Sequence, residues 1–325
     1  MSKISVIGAG AWGTTLSILL AEKGHAVTLW MYEKDLAEAM QETRENKTFL
    51  PGFPIPGDID ITAKAEEANK AEIYFFAVPT QFLRTTVKKF NPGNSPVVCA
   101  SKGIEINTLK LPLQIISEEL KIKSPAILSG PNLSNEIARG MPAAAVIASE
   151  DAAKAKSLQE IISLEHFRIY TSADPLGVQL GGALKNVIAI AAGITDGLEL
   201  GNNAKAALLI RGIAEISRLG AAMGADPKTF AGLSGMGDLI TTCGSTLSRN
   251  HSVGEQLARG KKLAEILAGM KNVAEGVATA KAAISLGKKH NVELPVAKEV
   301  YRVLYEGKNP LESITALMNR TPTSE

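Results

Sequence analysis

The sequence predicts an α/β domain followed by an all-helical domain. Short apolar runs alternate with helical stretches through residues 1–173, a pattern typical of a parallel sheet covered by helices on both faces. From Asp174 onward no convincing strand follows, and long stretches rich in small residues favour helices. The pair Asp174-Pro175 suits the start of a helix, because proline is tolerated in the first turn. We therefore predict two domains, 1–173 and 174–325.

Continuous apolar runs mark the predicted strands, because strands buried on both faces do not alternate. A stretch rich in proline and glycine, 51–59, is predicted as a loop. The predicted strands are 4–8, 26–30, 72–78, 96–101, 126–130, 143–149 and 167–172, with helices at 14–24, 81–90 and 151–163. The predicted helices of the second domain are 176–194, 203–223, 227–232, 251–258, 262–269, 274–289 and 295–305.

Composition and charge narrow the class of protein. The 325 residues are 45% hydrophobic and 21% charged, with a net charge of +2, so we expect a sizeable core and no nucleic-acid partner. Cys99 and Cys243 are far apart, which excludes a disulfide framework and a cysteine-rich metal site and suits the cytoplasm. The N-terminus is interpreted as a first strand rather than a targeting signal. The most apolar segment, 183–194, is interrupted by charge, so we expect no membrane span.

Residues 8–13 read GAGAWG, which has the GxGxxG spacing. The motif follows a strand and opens a helix, and in that context it predicts a Rossmann-like dinucleotide-binding turn. Gly8 would make the tight turn, Gly10 would let the backbone approach a pyrophosphate, and Gly13 would let helix and strand pack closely. The helix start would offer its free N–H groups to the phosphates. A glycine turn needed only for packing is the less favoured alternative.

Residues at the end of the second strand bear on the choice of cofactor. Glu33 follows Gly13 by about twenty residues, where an acidic side chain binds the ribose 2′-OH of NAD. Lys34 comes next and would instead accept the 2′-phosphate of NADP, while Tyr32 is placed to stack near the adenine. NAD is favoured and NADP stays open, and a solvated turn is an equal alternative.

Lys185 interrupts the small and apolar run GGALKNVIAIAAG over 181–193. A buried ammonium is costly unless it has a partner or a function. On a helix, Gly181 and Gly182 lie one turn before Lys185 and leave space around its ammonium. A partly buried lysine suits proton transfer, and the alternative is a side chain that extends to the surface.

Polar residues in four other segments are candidates for ligand contacts. Asp238 follows a predicted tight glycine loop and starts a helix. The triplet Ser248-Arg249-Asn250 combines a hydroxyl, a guanidinium and an amide, which suits a phosphate, although a plain capping turn is the commoner use. Lys102 follows one strand, and the segment 130–132 follows another, so both are placed to line a cleft beyond the strand ends. A surface loop lysine is an equal alternative for Lys102.

The whole set resembles the bacterial-type NAD(P)-dependent glycerol-3-phosphate dehydrogenases. The matching segments run in the family's order and cover nearly the whole chain. They are VIGAGAWGTTL (6–16), ASKGIE (100–105), SGPNLSNEIARGMPAA (129–144), the long block 177–220, LSGMGDLITTC (233–243), SRN (248–250) and VAEG (273–276).

The resemblance implies reversible hydride transfer between NAD(P)H and dihydroxyacetone phosphate, giving sn-glycerol 3-phosphate for glycerophospholipid synthesis. It also implies that Lys185 donates and accepts the proton at the C2 oxygen, where an ammonium would stabilise the developing negative charge. The implied cofactor contacts are Gly8, Gly10, Ala11, Trp12, Gly13, Tyr32, Glu33, Lys102, Ser134, Arg249, Val273 and Glu275. The implied substrate contacts are Lys102, Gly130, Asn132, Lys185, Asp238, Ser248, Arg249 and Asn250.

The sequence departs from the family pattern after SGP, because Asn132 and Ser134 stand where relatives usually have Ser or Thr and then Ala. No metal is implied. Enzymes of this type are commonly dimers, so a homodimer is one option, although the sequence itself leaves the oligomeric state open.

Two other classes of protein share part of this pattern. Dehydrogenases of the 6-phosphogluconate or β-hydroxyacid type have the same two-domain plan, but they place an asparagine four residues after the lysine. Here position 189 is alanine and the asparagine is Asn186, on a different helix face. A regulatory protein that senses NADH without catalysis would need the glycine turn, but not Lys185, Asp238 and Arg249 together.

Overall fold

The computed structural model describes residues 1–270 and 272–321. The chain forms two compact units, Met1–Lys102 with Lys110–Gln179, and Gly103–Leu109 with Leu180–Glu325. The first unit contains the sheet and the second is helical, so the predicted α/β and all-helical classes are confirmed. The boundary between residues 173 and 174 stays a prediction.

The seven predicted strands form in the predicted order, because each is an apolar run bounded by turn residues, and three short strands that were not predicted form between residues 45 and 62. Their bounds are β1 Lys3–Ile7, β2 Ala26–Trp30, β3 Glu45–Asn46, β4 Leu50–Pro54, β5 Asp60–Thr62, β6 Ile73–Phe76, β7 Val97–Cys99, β8 Ala126–Ser129, β9 Ala143–Ala148 and β10 Phe167–Ser172. Eight of them form one sheet in the order β10-β9-β8-β7-β6-β1-β2-β5 within the described residues. The glycine turn follows β1, near the centre of this sheet.

Strand direction departs from the prediction at one step of the sheet. The strands pair in parallel from β5 to β8, but β8 and β9 pair antiparallel. The strand β10 is again parallel to β9. The expectation of a wholly parallel sheet is therefore wrong, because a strand buried on both faces has the same apolar pattern in either direction.

A small antiparallel pair also replaces part of a predicted loop. Residues 51–59 were expected to be irregular, but Leu50–Pro54 pairs with Glu45–Asn46. Prolines at both 51 and 54 are compatible with an edge strand, where one side of the backbone has no ladder partner. The loop prediction is wrong over 51–54.

Helices cover the sheet and bury its apolar residues. The helix that follows β1 contributes Leu16, Leu19 and Leu20 to a core that also contains Val6 and Leu29. The helices of the first unit are α1 Ala11–Glu22, α2 Lys34–Thr43, α3 Ala65–Ala68, α4 Thr80–Val87, α5 Pro112–Leu120, α6 Ser134–Ala138 and α7 Ala152–Ile162.

The second unit consists of helices, and the predicted tight loop near Asp238 is instead a π-helical turn that runs directly into the next helix. A last helix after residue 309 was not predicted. The bounds are α8 Pro175–Gly197, α9 Gly201–Ala222, a 3₁₀ turn Pro227–Ala231, the π-helical turn Leu233–Gly237, α10 Asp238–Gly244, α11 Arg249–Ala258, α12 Leu263–Ala268, α13 Glu275–Lys289, α14 Pro295–Tyr305 and α15 Pro310–Met318.

The helix α8 begins where the sequence predicts. The carboxylate of Asp174 accepts a hydrogen bond from the Gly177 N–H at 2.8 Å, which caps the first turn. By length and composition α8 could cross a membrane, but its apolar window is fully buried inside the protein. A buried core helix passes the same test of length and composition.

A buried carboxylate joins two other helices of the second unit. Glu215 on α9 is 3% exposed and accepts hydrogen bonds from the Val296 and Ala297 N–H groups at the start of α14. Burial raises the pKa of Glu215 to about 7, although those two hydrogen bonds act in the opposite direction. The carboxyl therefore keeps its proton in the folded protein at pH values where the unfolded chain has lost it.

This pKa predicts a pH-dependent stability. Because the folded state binds one more proton, the free energy of unfolding should fall by up to about 1.4 kcal/mol per pH unit between about pH 5 and pH 7, and the fall should end above the folded pKa. Urea titrations at several pH values should show this contribution in the wild type and not in Glu215→Gln. Identical pH profiles for the two proteins would contradict it.

Candidate active site

Three glycines of the turn between β1 and α1 have three different surroundings. Gly8 has a φ of +110°, and a Cβ there would lie 2.6 Å from the Ala77 carbonyl oxygen. A Cβ on Gly13 would collide with the Gly8 carbonyl, so only glycine lets α1 pack on the turn. By contrast, no heavy atom lies within 4 Å of a Cβ built on Gly10. Such open space beside the backbone is what an approaching pyrophosphate requires.

The start of α1 faces the same open space. Gly10 is the N-cap and Ala11 the first helical residue, so the first-turn N–H groups have no intrahelical partner and carry the positive end of the helix dipole. The indole Nε1 of Trp12 is buried and has no hydrogen-bond partner in the part of the chain that the structure describes. These features fit a dinucleotide phosphate.

A buried asparagine supports the glycine turn from outside the motif. The Nδ2 of Asn46 donates to the Ala9 carbonyl and to the Thr14 hydroxyl, both at 2.8 Å. Asn46 is fully buried. The sequence gives no signal for this contact, because Asn46 lies in a polar segment far from the motif along the chain.

The predicted residues at the end of β2 lie at the surface. Tyr32 is 73% exposed, and the Lys89 ammonium lies 4.5 Å from the centre of its ring. Glu33 is exposed at the N-cap of α2. The ammonium of Lys34 lies 3.7 Å from the Glu38 carboxylate, one helical turn further on. Glu33 is thus the charged group that begins α2, and Lys34 is directed along the helix.

Two predicted residues from neighbouring strand ends are in direct contact. The Lys102 ammonium donates to the Gly130 carbonyl at 2.8 Å. Gly130 has a φ of +146°, and a Cβ there would lie 2.9 Å from the Ala145 Cα. Glycine is therefore needed for the turn, and the turn presents its carbonyl to Lys102.

Asn132 has the feature expected of a ligand-binding amide. Its Oδ1 and Nδ2 are both buried and have no hydrogen-bond partner among the described residues. Buried polar atoms of this kind are costly unless a bound molecule satisfies them. Ser134 begins α6, and its carbonyl accepts a hydrogen bond from the Thr15 hydroxyl at 3.4 Å, which places it against α1.

Lys185 lies at the centre of the second unit's polar cluster. It is 6% exposed, and its Nζ donates to the Asp238 carboxylate at 2.7 Å and to the Thr242 hydroxyl. Asp238 is 1% exposed. Because Asp238 and Thr242 are four residues apart on α10, they present one polar face to α8. The sequence predicted Asp238 as a substrate contact, and the structure shows it as the ion-pair partner of Lys185.

Gly181 serves a different purpose from the one expected. A Cβ there would lie 2.6 Å from the Ser234 carbonyl oxygen. The space one turn before Lys185 is therefore filled by the backbone of the π-helical turn. This close approach brings the following residue Asp238 within reach of the ammonium.

A hydrogen-bonded amide network adjoins the ion pair. The Nδ2 of Asn250 donates to the Asn186 Oδ1 at 2.9 Å, and its Oδ1 accepts from the Gly276 N–H at 2.9 Å. Asn250 is 7% exposed and Asn186 is 5% exposed. The network joins α8, α11 and α13.

Ser248 and Arg249 form the start of α11. The Ser248 hydroxyl accepts a hydrogen bond from the His251 N–H at 3.3 Å. It therefore caps the helix, which is the alternative function that the sequence analysis gives for this triplet. Surrounding protein atoms lower the pKa of Arg249, and the nearby Glu275 carboxylate opposes this shift. The residue nevertheless keeps exposed surface, and a guanidinium stays charged in proteins. Val273, before α13, is 41% exposed.

Sequence reasoning missed three polar residues of these clusters: Asn46, Thr242 and the amide partner Asn186. Of these, Asn186 and Thr242 had a usable signal, because Asn186 is the polar neighbour of Lys185 in an apolar run and Thr242 lies one helical turn after Asp238. No group of three or more His, Cys, Asp or Glu side chains that could hold a metal ion is found in residues 1–270 and 272–321.

A glycine turn suited to a dinucleotide and a buried lysine–aspartate pair define the class of dinucleotide-dependent dehydrogenases. The chain belongs to the NAD-dependent glycerol-3-phosphate dehydrogenase family, whose N-terminal model matches residues 3–155 and whose C-terminal model matches residues 174–315.

Relatives and solved structures agree over nearly the whole chain. The sequence is 48% identical to the glycerol-3-phosphate dehydrogenase [NAD(P)+] of Geobacter sp. (strain M21), across 99% of this chain and 98% of the relative. It is also 48% identical to that of Solidesulfovibrio magneticus, across 98% of each chain. The crystal structure of the Coxiella burnetii glycerol-3-phosphate dehydrogenase is similar with a TM-score of 0.94 and 34% identity, covering 98% of this chain and 99% of that one.

The different surroundings of Gly10 and Gly13 predict that alanine at position 13 lowers stability, whereas alanine at position 10 weakens cofactor binding. Gly13→Ala should lower the free energy of unfolding by about 1–3 kcal/mol, because its Cβ has no room. Gly10→Ala should unfold like the wild type, because its φ of −66° suits alanine and its Cβ meets nothing. It should nevertheless weaken NADH binding by about tenfold or more, since the methyl group occupies the phosphate space.

Urea unfolding and fluorescence titration with NADH measure these two effects. Unchanged NADH affinity in Gly10→Ala would contradict the placement of the phosphates at this turn.

Proposed function

We propose that this chain is a glycerol-3-phosphate dehydrogenase that reversibly reduces dihydroxyacetone phosphate to sn-glycerol 3-phosphate with NAD(P)H, and that it thereby supplies glycerophospholipid synthesis. The buried pair between Lys185 and Asp238 is the observation that carries this proposal, because it places a charged proton donor in a chain of this family. The names of relatives that match the full chain support the same substrate.

The geometry around Lys185 suggests how the proton moves. The glycine turn Gly8 to Gly13 would hold the pyrophosphate of NAD(P)H, and the bound cofactor would provide the hydride chemistry at C2 of the substrate. A lysine ammonium has three N–H donors, and Asp238 and Thr242 accept two of them. We propose that the third donates to the C2 oxygen, where it stabilises the negative charge and then transfers as a proton. In the reverse direction the neutral Lys185 amine takes the proton of the C2 hydroxyl, and its hydrogen bond to Asp238 holds the amine in place.

Arg249 is proposed to bind the substrate phosphate. Arg249 keeps some exposed surface at the first position of α11, next to the first-turn N–H groups, and a guanidinium and helix N–H groups both favour a phosphate. Ser248 and Asn250 already hydrogen-bond within the protein. We therefore assign these two the task of holding the Arg249 turn, in addition to any substrate contact.

We propose that the side-chain amide of Asn132, whose polar atoms have no hydrogen-bond partner among the described residues, binds a polar group of the substrate. Gly130 and Lys102 are proposed to contact the substrate as well. The residues proposed to hold the cofactor are Gly8, Gly10, Ala11, Trp12, Gly13, Tyr32, Glu33, Lys102, Ser134, Arg249, Val273 and Glu275. Glu33 at the end of β2 favours NAD, with NADP as the alternative that the assay below tests.

We also propose that the protein works as a homodimer in the cytoplasm. Both cysteines, Cys99 and Cys243, are buried free thiols, which suits a reducing compartment such as the cytoplasm.

The proposed homodimer should have twice the mass of one chain, measured by light scattering after gel filtration. A single-chain mass at micromolar concentration would contradict the dimer.

Oxidation of NADH and of NADPH with dihydroxyacetone phosphate, without added metal, tests the proposed function. We expect turnover with at least one cofactor, and faster turnover with NADH than with NADPH. Reduction of dihydroxyacetone, and oxidation of 2- and 3-hydroxyacids with NAD(P)+, should both be much slower. A folded protein that binds NADH but turns over no phosphorylated ketone would favour a regulatory role instead.

Arg249→Ala should raise KM for dihydroxyacetone phosphate by about 10- to 100-fold, because a charge-assisted hydrogen bond is worth about 1.5–3 kcal/mol. The matched control is Arg259→Ala at the other end of α11, where the guanidinium lies 3.9 Å from the Glu255 carboxylate at the surface. Steady-state kinetics on both variants should separate them. An unchanged KM in Arg249→Ala would remove Arg249 from the phosphate site.

Thr242→Val should lower kcat by about tenfold with little change in the dissociation constant of NADH, because the ammonium loses one acceptor that orients it. Thr241→Val is the matched control, since the Thr241 hydroxyl donates to the Gly237 carbonyl on another side of α10. Equal kcat values for the two variants would show that the Thr242 hydroxyl has no part in orienting Lys185.

A further inference from the structure

A second polar pair, of a buried histidine and a half-buried aspartate, joins α8 and α11, apart from the residues assigned to the reaction. The Nε2 of His251 lies 2.7 Å from the Asp196 Oδ2, and the Lys205 ammonium lies 2.6 Å from the same oxygen. His251 is 4% exposed. The pair therefore fixes one side chain of α11 to the C-terminal part of α8, the helix that carries Lys185.

The backbones of these two helices touch at the same level. A Cβ on Gly193 of α8 would collide with the His251 carbonyl, and a Cβ on Gly254 of α11 would collide with the Ile190 carbonyl. Two facing glycines thus permit direct backbone contact, as in the closest helix pairs. Because His251 takes part in both the backbone contact and the side-chain pair, it fixes the position of α11 along α8.

His251 also lies directly after the proposed phosphate-binding triplet. Its backbone N–H donates to the Ser248 hydroxyl, and it follows Asn250 in the first turn of α11. A shift of His251 would therefore move the Arg249 guanidinium with it.

We propose that His251, held by Asp196, is a positioning residue that sets the location of Arg249 relative to Lys185 and so gives the enzyme its preference for a phosphorylated ketone. This inference rests on the proposed function. It adds a specificity-determining contact between two helices that each carry one end of the substrate site.

The charges around the imidazole set the direction of its hydrogen bond. Burial alone would raise the pKa of Asp196, but the hydrogen bonds from Lys205 and His251 lower it below its usual value. Asp196 is therefore a carboxylate and can only accept, so the Nε2 of His251 carries a proton. The Nδ1 lies 3.7 Å from the Glu255 carboxylate, which in turn faces Arg259 at 3.9 Å.

The position of Arg249 matters because the proton donor and the phosphate anchor act on one small molecule. A misplacement of about 1 Å costs up to about 100-fold in rate when two such groups must act together. A substrate that lacks the phosphate does not use Arg249 and should be insensitive to its position. The ratio of kcat/KM for dihydroxyacetone phosphate to kcat/KM for dihydroxyacetone therefore reports the anchor alone.

The test compares this ratio in the wild type, His251→Leu and His251→Gln. In His251→Leu we expect the ratio to fall by about tenfold or more, with dihydroxyacetone turnover retained. His251→Gln should stay within about threefold of the wild type, because its amide nitrogen reaches Asp196 in place of Nε2. Ser252→Ala, the next residue along α11, is the matched control, and it should leave the ratio unchanged.

Competitive inhibition by inorganic phosphate gives a second readout, and its inhibition constant should rise in His251→Leu by the same factor. If His251→Leu does not fold, His251→Asn replaces it, since its shorter amide does not reach Asp196. A parallel loss with both substrates, or an unchanged ratio and inhibition constant, would overturn the inference and leave the proposed function intact. A wild-type protein that does not reduce dihydroxyacetone phosphate would overturn the proposed function first.

Discussion

The helical unit is organised around one buried ion pair, Lys185 with Asp238. Removing two charges from water costs several kcal/mol for each, and a protein recovers that cost only with close geometry and further hydrogen bonds. Here the contact is 2.7 Å, and Thr242 adds a hydroxyl acceptor. The pair therefore requires α8 and α10 to approach closely and in one register, and the neighbouring sequence meets that requirement.

Glycines allow this close approach of the helices, because they permit backbone contact where larger residues would keep the helices apart. Gly181 admits the π-helical turn before α10, Gly193 and Gly254 let α11 touch α8, and Gly276 of α13 admits the backbone carbonyl of Asn186 and the side-chain amide of Asn250. The first unit uses the same device, since Gly13 lets α1 touch the turn after β1. In both units, small residues bring polar groups to fixed positions that larger side chains could not allow.

The sequence predicted the parts of this arrangement that depend on local pattern. Apolar runs located β2 and β10 at their observed bounds, and the glycine spacing located the turn that opens onto free space at Gly10. The charge within an apolar helix identified Lys185 as unusual. The antiparallel step at β8 and β9 could not be predicted, because burial patterns do not encode strand direction.

Contacts between segments that are distant along the sequence could not be predicted either. Lys185 and Asp238 are 53 residues apart, and Asn46 is 37 residues from the Ala9 carbonyl that it supports. Such pairs depend on how helices and loops pack, which a single sequence does not encode in its local periodicity. Lys185 was nevertheless identified as functional from its residue type, and Asp238 from the family resemblance. The structure shows Asp238 as the ion-pair partner of Lys185, where a substrate contact was expected.

The single-turnover rate of NADH oxidation in Lys185→Met, Asp238→Asn and the double variant tests whether the Lys185 ammonium supplies the proton. If the ammonium supplies the proton, the double variant should be slower than the wild type by about 10²- to 10⁴-fold, even though neither buried group is left as an unpaired charge. NADH binding should be retained. Recovery of most of the wild-type rate in the double variant would show that the pair only stabilises the fold and that Lys185 is not the proton donor.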